Sequence, residues 1–135
     1  MAFFDWSDEL ATGIQKIDEQ HRRLIELVNG LHDALSRGKS RDVLGGLLKD
    51  LAEYTDYHFK TEERAFARYA YVDAAAHKKS HDDLIAQLQD LMAKHAKGSL
   101  AVGVETLNFL IGWVKNHIMK EDRLYIECLK GKEIG

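Results

Sequence analysis

Proline is absent from the chain, so no residue breaks or kinks a helix through a missing backbone N–H. A single cysteine, Cys128, cannot close an internal disulfide, and nothing requires an oxidising compartment. No apolar run approaches the roughly 18 residues that span a bilayer, which excludes membrane insertion as a sequence expectation. No Lys/Arg-rich block occurs and the formal net charge is −3, which argues against a nucleic-acid surface. The opening stretch Met1-Ala2-Phe3-Phe4-Asp5-Trp6 carries an acid and lacks the basic and apolar regions of a signal peptide, so the expected location is cytoplasmic. What remains is the profile of a soluble globular chain, whose 135 residues suit one domain with a real core.

Hydrophobic spacing predicts an all-α fold of four helices. After an irregular N-terminal segment containing Trp6 and Gly13, Asp18 is a candidate N-cap. The first stripe then steps by fours and threes through Ile17, His21, Leu24, Val28, Leu31 and Leu35. Gly38 ends this helix and Ser40 can cap the next. The second stripe runs Leu44, Leu47, Leu51, Tyr54, His58, Glu62 and Ala65, stopping near Tyr71. Asp73 can cap a third helix, with His77, His81, Leu84, Leu88 and Leu91 on one face. Gly98 and Ser99 make a short turn into a fourth, carrying Leu107, Leu110, Val114 and His117. A short C-terminal helical extension is expected around Arg123–Lys130. Short connections make successive helices antiparallel, which gives an up-down-up-down four-helix bundle.

Five of the seven histidines and two carboxylates fall on these helices in a pattern. His77 and His81, four apart, lie about 40° apart around a helix and about 6 Å along it, close enough to reach one metal ion. That pair alone is ambiguous. His21 and His77 stand near the starts of the first and third helices, whereas His58, Glu62 and His117 stand near the ends of the second and fourth. Antiparallel topology puts all of these at one end of the bundle, on the faces that point inward. Each buried unpaired polar group costs roughly 1–3 kcal/mol, against a whole-domain stability of about 5–15 kcal/mol, so a dry layer of such groups needs a metal. Seven donors overfill a structural zinc site, and calcium or magnesium would want oxygen rather than imidazole. Five nitrogens and two carboxylates divide over two adjacent six-coordinate ions, with Glu62 and Asp122 bridging both. Iron or manganese suits such a set, and the imidazole excess favours iron.

Asp122 follows His117 by five residues, which turns about 140° past a full revolution in a regular α-helix. Both can face one centre only if the helix widens or breaks between Ile118 and Glu121. Glu63 and Glu121 are about 100° off the stripe, which suits a solvated or outer role. His32 is off the inward face. His95 is about 21 Å along the third helix from His81, so neither is expected to bind metal. Tyr125 is compatible with packing near the site or with plain core packing. Asp18 is compatible with orienting His21 or with capping, and Cys128 with core packing.

Taken together, Gly13-Ile14-Gln15-Lys16-Ile17-Asp18-Glu19-Gln20-His21 with Leu24 and Asn29, then the HFxxEE element at His58, HxxxH at His77 and HIxxxD at His117, resemble the bacterial hemerythrins over essentially the full length. The resemblance implies one hemerythrin-like domain over 1–135 and two iron ions (Fe2+/Fe3+) with an oxo or hydroxo bridge, which bind O2 reversibly. By that similarity His77, His81 and His117 hold one iron, His21 and His58 hold the other, and Glu62 and Asp122 bridge. The two-histidine iron keeps an open position for O2. Leu24, Phe59, Trp113, Val114 and Ile118 would form its apolar wall, although the same residues also suit ordinary core packing. Val114 departs from the leucine that the family often has there, which could enlarge the pocket.

The histidine-rich set is less suited to cleaving the O–O bond than a set of several glutamates, so a non-enzymatic O2 carrier for storage, transport or delivery is expected. Two other classes stay open. One is an O2 or redox sensing module; the other is a di-iron enzyme acting on peroxide or nitric oxide. O2 is the implied partner, and no protein acceptor of it can be read from the sequence.

Overall fold

The computed structural model describes residues 6–38, 41–97 and 104–134. Ser40, Gly98 and Ser99, each expected at a helix end, lie outside these residues, and the side chains of Leu107 and Glu121 are likewise outside them. Among the described residues the regular structure is helical throughout, and no helix is long and apolar enough to cross a membrane.

Three long helices, α1 (Gln15–Ser36), α2 (Arg41–Arg68) and α3 (Ala74–Ala96), pack against one another in sequence, α1 on α2 and α2 on α3. A shorter helix, α4 (Val104–Asn116), packs on α1. It runs directly into a π-helical turn, His117–Glu121, and then into two short pieces, α5 (Asp122–Leu124) and α6 (Ile126–Leu129). These two cover the expected C-terminal helical stretch, with Tyr125 between them.

The first helix starts earlier than its capping residue suggested. Ile14 occupies the N-cap position, and Asp18 lies inside the first turn, buried. The Asp18 carboxylate folds back on the incoming loop and accepts hydrogen bonds from the Thr12 N–H (2.8 Å), the Thr12 hydroxyl (2.8 Å) and the Gly13 N–H (3.2 Å). It therefore neither caps the helix nor orients His21. Gly13 has φ +82°, which permits the sharp approach of that loop. At the other end the Gly38 N–H donates to the Leu35 carbonyl (3.1 Å) with φ +66°, the expected glycine stop.

The second helix is buried over a wider arc than one stripe, because α1 and α3 cover it from two sides. Leu44, Leu48, Leu51, Thr55, His58, Phe59, Thr61, Glu62, Ala65 and Phe66 are all buried, whereas Leu47 and Tyr54 of the expected stripe are half-buried. It ends in a left-handed residue, Ala70 (φ 54°), where the Tyr71 N–H closes onto the Phe66 carbonyl (3.0 Å). Asp73 does stand at the N-cap of α3, although its side chain makes no capping hydrogen bond.

The apolar core is divided. One cluster, including Val28, Leu31, Leu48, Leu84 and Leu88, fills the interior on one side of the histidines. A second, including Ile17, Phe66, Tyr125 and Leu129, closes the opposite end. Leu10, from a 3-10 turn at Asp8–Leu10, packs with Ile25, Val114 and Ile118 along the flank. The histidine layer lies between these walls, so the burial that stabilises the helices also removes water from that layer.

Candidate metal centre

The start of α1, the end of α2, the start of α3 and the π turn after α4 deliver their side chains to one place. Two overlapping groups result. One contains Glu62, His77, His81, His117 and Asp122; the other contains His21, His58, Glu62 and Asp122. All seven sequence-selected residues are brought together, all are buried, and the two carboxylates belong to both groups. His32 and His95 are in neither group.

Asp122 faces both ways. Its Oδ2 lies 3.0 Å from His21 Nε2, while its Oδ1 lies 3.0 Å from both His77 Nε2 and His117 Nε2. Glu62 Oε1 stands 3.4 Å from His58 Nε2 and 3.2 Å from His81 Nε2, again one ring from each group. The π turn makes this possible. By widening the helix at His117–Glu121 it brings Asp122 back onto the face of His117, as the five-residue spacing required.

The outer ring nitrogens are held separately. His58 Nδ1 meets Gln20 Oε1 at 2.6 Å. The Gln20 amide donates to Thr61 Oγ1 (3.3 Å), and the Thr61 hydroxyl donates to the Tyr57 carbonyl (3.1 Å). This chain spends the Thr61 proton on a carbonyl, so Gln20 must present its oxygen to His58. Nδ1 then carries the proton and Nε2 points inward with its lone pair. His81 Nδ1 meets Glu63 Oε2 at 2.9 Å and is fixed in the same way. Aromatic plates hold the rings in plane. Phe59 stacks on His81 (centroids 3.7 Å apart, 4° between planes) and Trp113 on His117 (4.5 Å, 13°). Tyr125, fully buried, donates its hydroxyl to Glu62 Oε2. Both of its compatible roles are observed, since it also packs in the core with Phe66 and Leu129.

Burial sets the protonation. Desolvation, then the neighbouring His21 charge, drives His58 well below the ordinary imidazole range. Desolvation, then His117, takes His81 down to about 3. Both rings are neutral, as metal donors must be. Glu62 is pushed up to about 7, first by desolvation and then by Asp122. Burial also works against ionisation of Asp122, but His117, His21 and His77 outweigh it and hold this carboxyl well below its usual range.

The donor set fits a pair of cations. His21 Nε2, Glu62 Oε1 and both Asp122 oxygens are buried with no hydrogen-bond partner. Inward nitrogens of His77 and His81 each approach His117 Nε2 to 3.1 Å, so several lone pairs share one small space. Left uncompensated, each such group costs roughly 1–3 kcal/mol. A cation shared between the groups turns those lone pairs into bonds.

Against this layer lies a cavity of about 20 Å³. Its wall includes Leu24, Phe59, Trp113, Val114 and Ile118, all five of the expected apolar residues. It also includes His21, His58, His117 and Asp122, so it opens on the His21/His58 group. Thr55 and Leu84 complete it and were not anticipated. The Thr55 hydroxyl is turned away onto the Leu51 carbonyl (2.7 Å), which leaves that wall apolar. Gln20 and Thr61 were missed as well. The only signal for Gln20 was its place beside His21; nothing in its spacing marks it.

The family model described as "Hemerythrin HHE cation binding domain" matches residues 12–129. A bacteriohemerythrin of Methylococcus capsulatus is 38% identical over 130 residues, covering 96% of this chain and 98% of that protein. A hemerythrin-like protein of Naegleria gruberi is 32% identical, with 90% of each chain covered. The crystal structure of a wild-type hemerythrin superposes with a TM-score of 0.92 at 37% identity, over 96% of this chain and all of that one. This chain belongs to the hemerythrin family.

Proposed function

We propose that the chain binds O2 reversibly at a non-haem di-iron centre, as a carrier for storage, transport or delivery rather than as an enzyme. The observation that carries this reading is the pair of overlapping donor groups sharing Glu62 and Asp122, with a small apolar cavity on the side that has fewer histidines. In this reading His77, His81 and His117 hold one iron and His21 and His58 the other. Glu62 and Asp122, which belong to both groups, would be shared by the two ions. The fold is an up-down-up-down antiparallel four-helix bundle forming one domain over 1–135, and a cytoplasmic location suits its single cysteine.

A bound iron pair supplies the two electrons on which reversible O2 binding draws. The protein supplies selectivity and protection. One donor group has three histidines, whereas the His21/His58 group has one fewer and faces the cavity, so an ion held there would have the freer position. Leu24, Val114 and Ile118 exclude water there, and Phe59 and Trp113 hold His81 and His117 against displacement. At about 20 Å³ the cavity holds one small molecule and no chain of water. Excluding water and proton donors is what keeps O2 binding reversible. The five imidazoles make the set electron-donating without the excess of anionic oxygens that favours bond cleavage.

Anaerobic reduction followed by exposure to O2, with absorption spectra and metal analysis, tests the proposal. A pair of irons per chain and a visible band that appears with O2 and vanishes on its removal are expected. One zinc per chain, or no colour under O2, would overturn the reading. Steady turnover of peroxide or nitric oxide would move it to an enzyme.

A further inference from the structure

We infer that Glu63 is a positioning residue that makes the two halves of the centre electronically unequal, by giving His81 a charged hydrogen-bond partner where His58 has a neutral one. This rests on the two-iron reading above.

The two rings enter the site in the same way. Both come inward through Nε2, both touch Glu62 Oε1, and both are almost wholly buried. They differ in what holds Nδ1. His58 is held by the Gln20 amide oxygen at 2.6 Å, with that amide locked by Thr61. His81 is held by the Glu63 carboxylate at 2.9 Å. A carboxylate accepts only, so in both cases the ring donates from Nδ1 and the tautomer is the same. The electronic consequence is not the same. A carboxylate on the outer N–H draws that proton away from the ring and raises the donor strength of the inner nitrogen, an effect a neutral amide produces only weakly. Glu63 also stands at the rim of the site. Its side chain is 21% exposed, whereas that of Glu62 beside it is 0% exposed. Phe59, stacked on the His81 ring, fixes the plane in which this hydrogen bond acts.

The half served by His77, His81 and His117 is therefore the stronger donor for a second reason beyond its extra nitrogen. An iron held there would be favoured in the ferric state, and the His21/His58 half keeps the weaker donors on the side of the cavity. The sequence shows Glu63 as the second acid of Glu62-Glu63, about 100° off the inward face; that offset is what lets it reach the back of a ring on α3.

The test is Glu63→Gln, an isosteric change at the rim of the site, with Gln20→Glu as the converse. In protein loaded with iron, Glu63→Gln should raise the potential of the first oxidation step, and Gln20→Glu should lower it. In protein loaded with cobalt(II), Glu63→Gln should weaken the tighter of the two binding steps by about 10–100-fold. It should also shift or remove one paramagnetically displaced ring N–H signal, that of His81. A Glu53→Gln control removes an exposed carboxylate on the same helix and should move none of these. The inference is overturned if Glu63→Gln retains the native potential and N–H signals, or if Glu53→Gln shifts them equally. Native protein that takes up no pair of irons would instead overturn the two-iron reading, and this inference with it.

Discussion

His117 and Asp122 are five residues apart, and their side chains meet at 3.0 Å because the helix between them is π-helical. In a regular α-helix the same pair would diverge by about 140°. The turn therefore determines whether one carboxylate can serve both donor groups, since Asp122 places one oxygen on His21 and the other on His77 and His117.

Replacing Asp122 with alanine should abolish paired iron binding while leaving the helical content unchanged. Asp122 is fully buried and its carboxylate faces the His21, His77 and His117 nitrogens, so the three long helices keep their own backbone hydrogen bonds without it. Metal analysis beside circular dichroism decides. Unaltered iron in Asp122→Ala would show that Asp122 bridges nothing.

Gln20 should matter to both binding and stability. Gln20→Leu leaves the His58 N–H buried without its acceptor and Thr61 without its donor. A loss of roughly 1–3 kcal/mol in urea unfolding is expected, with metal affinity weaker by about 10–100-fold. Unchanged affinity would mean that the ring needs no such restraint.

His77 and His95 lie on the same helix and should respond in opposite ways. His77→Ala removes a donor that touches Asp122 and His117, and should lose iron. His95 packs at the far end of α3 against α2, where a Cβ on Gly45 would lie 3.1 Å from its ring. His95→Ala should keep its iron and lower stability by roughly 0.5–3 kcal/mol through lost packing. Equal iron in the two variants would contradict the assignment of the site.

The inward face of each helix was legible in the sequence because burial repeats with the helical period. His21, His58, Glu62, His77, His81 and His117 fall on that repeat. Asp122 broke it, and the break called for a widened or interrupted helix, of which the π turn is the form observed. What spacing left unassigned was the layer behind the rings, although the offset of Glu63 already allowed it an outer role. Gln20 and Glu63 are off the inward stripes, and they reach His58 and His81 only because neighbouring helices lie at particular rotations. Asp18 misled for a related reason. An acid beside a helix start reads as a cap, yet this one is recruited by Thr12 and Gly13 of the loop before it. Leu10 and Thr55 shape the wall through tertiary contacts that no local period encodes.

Ala70 offers a gain in stability unconnected with the site. It is the one described non-glycine residue with positive φ, at 54°, and its exposed side chain gives nothing back. Ala70→Gly should stabilise the fold by about 0.5–1 kcal/mol, since relief of the left-handed strain exceeds the entropy that glycine loses. Thermal unfolding checks this, and a lower midpoint would show the strain to be negligible.

The buried acids and rings make a prediction about pH for protein stripped of metal with a chelator. His81, lowered from 6.5 to about 3, stays neutral when folded but takes a proton when unfolded. It contributes stability that is complete above about pH 6.5 and is lost as pH falls towards 3, and His58 acts in the same direction. Glu62, raised from 4.5 to about 7, does the opposite. The folded state holds its proton while the unfolded state has released it, so stability declines as pH rises from 4.5 to 7. Glu62→Gln removes only the second effect. The stability difference between this variant and the native chain should therefore grow in the variant's favour from pH 4.5 to 7, by at most about 1.4 kcal/mol per pH unit, and then level off. Urea titrations across that range measure the difference directly. A difference independent of pH would show that Glu62 is ionised throughout, and that the layer draws its compensation from the surrounding imidazoles instead of from a retained proton.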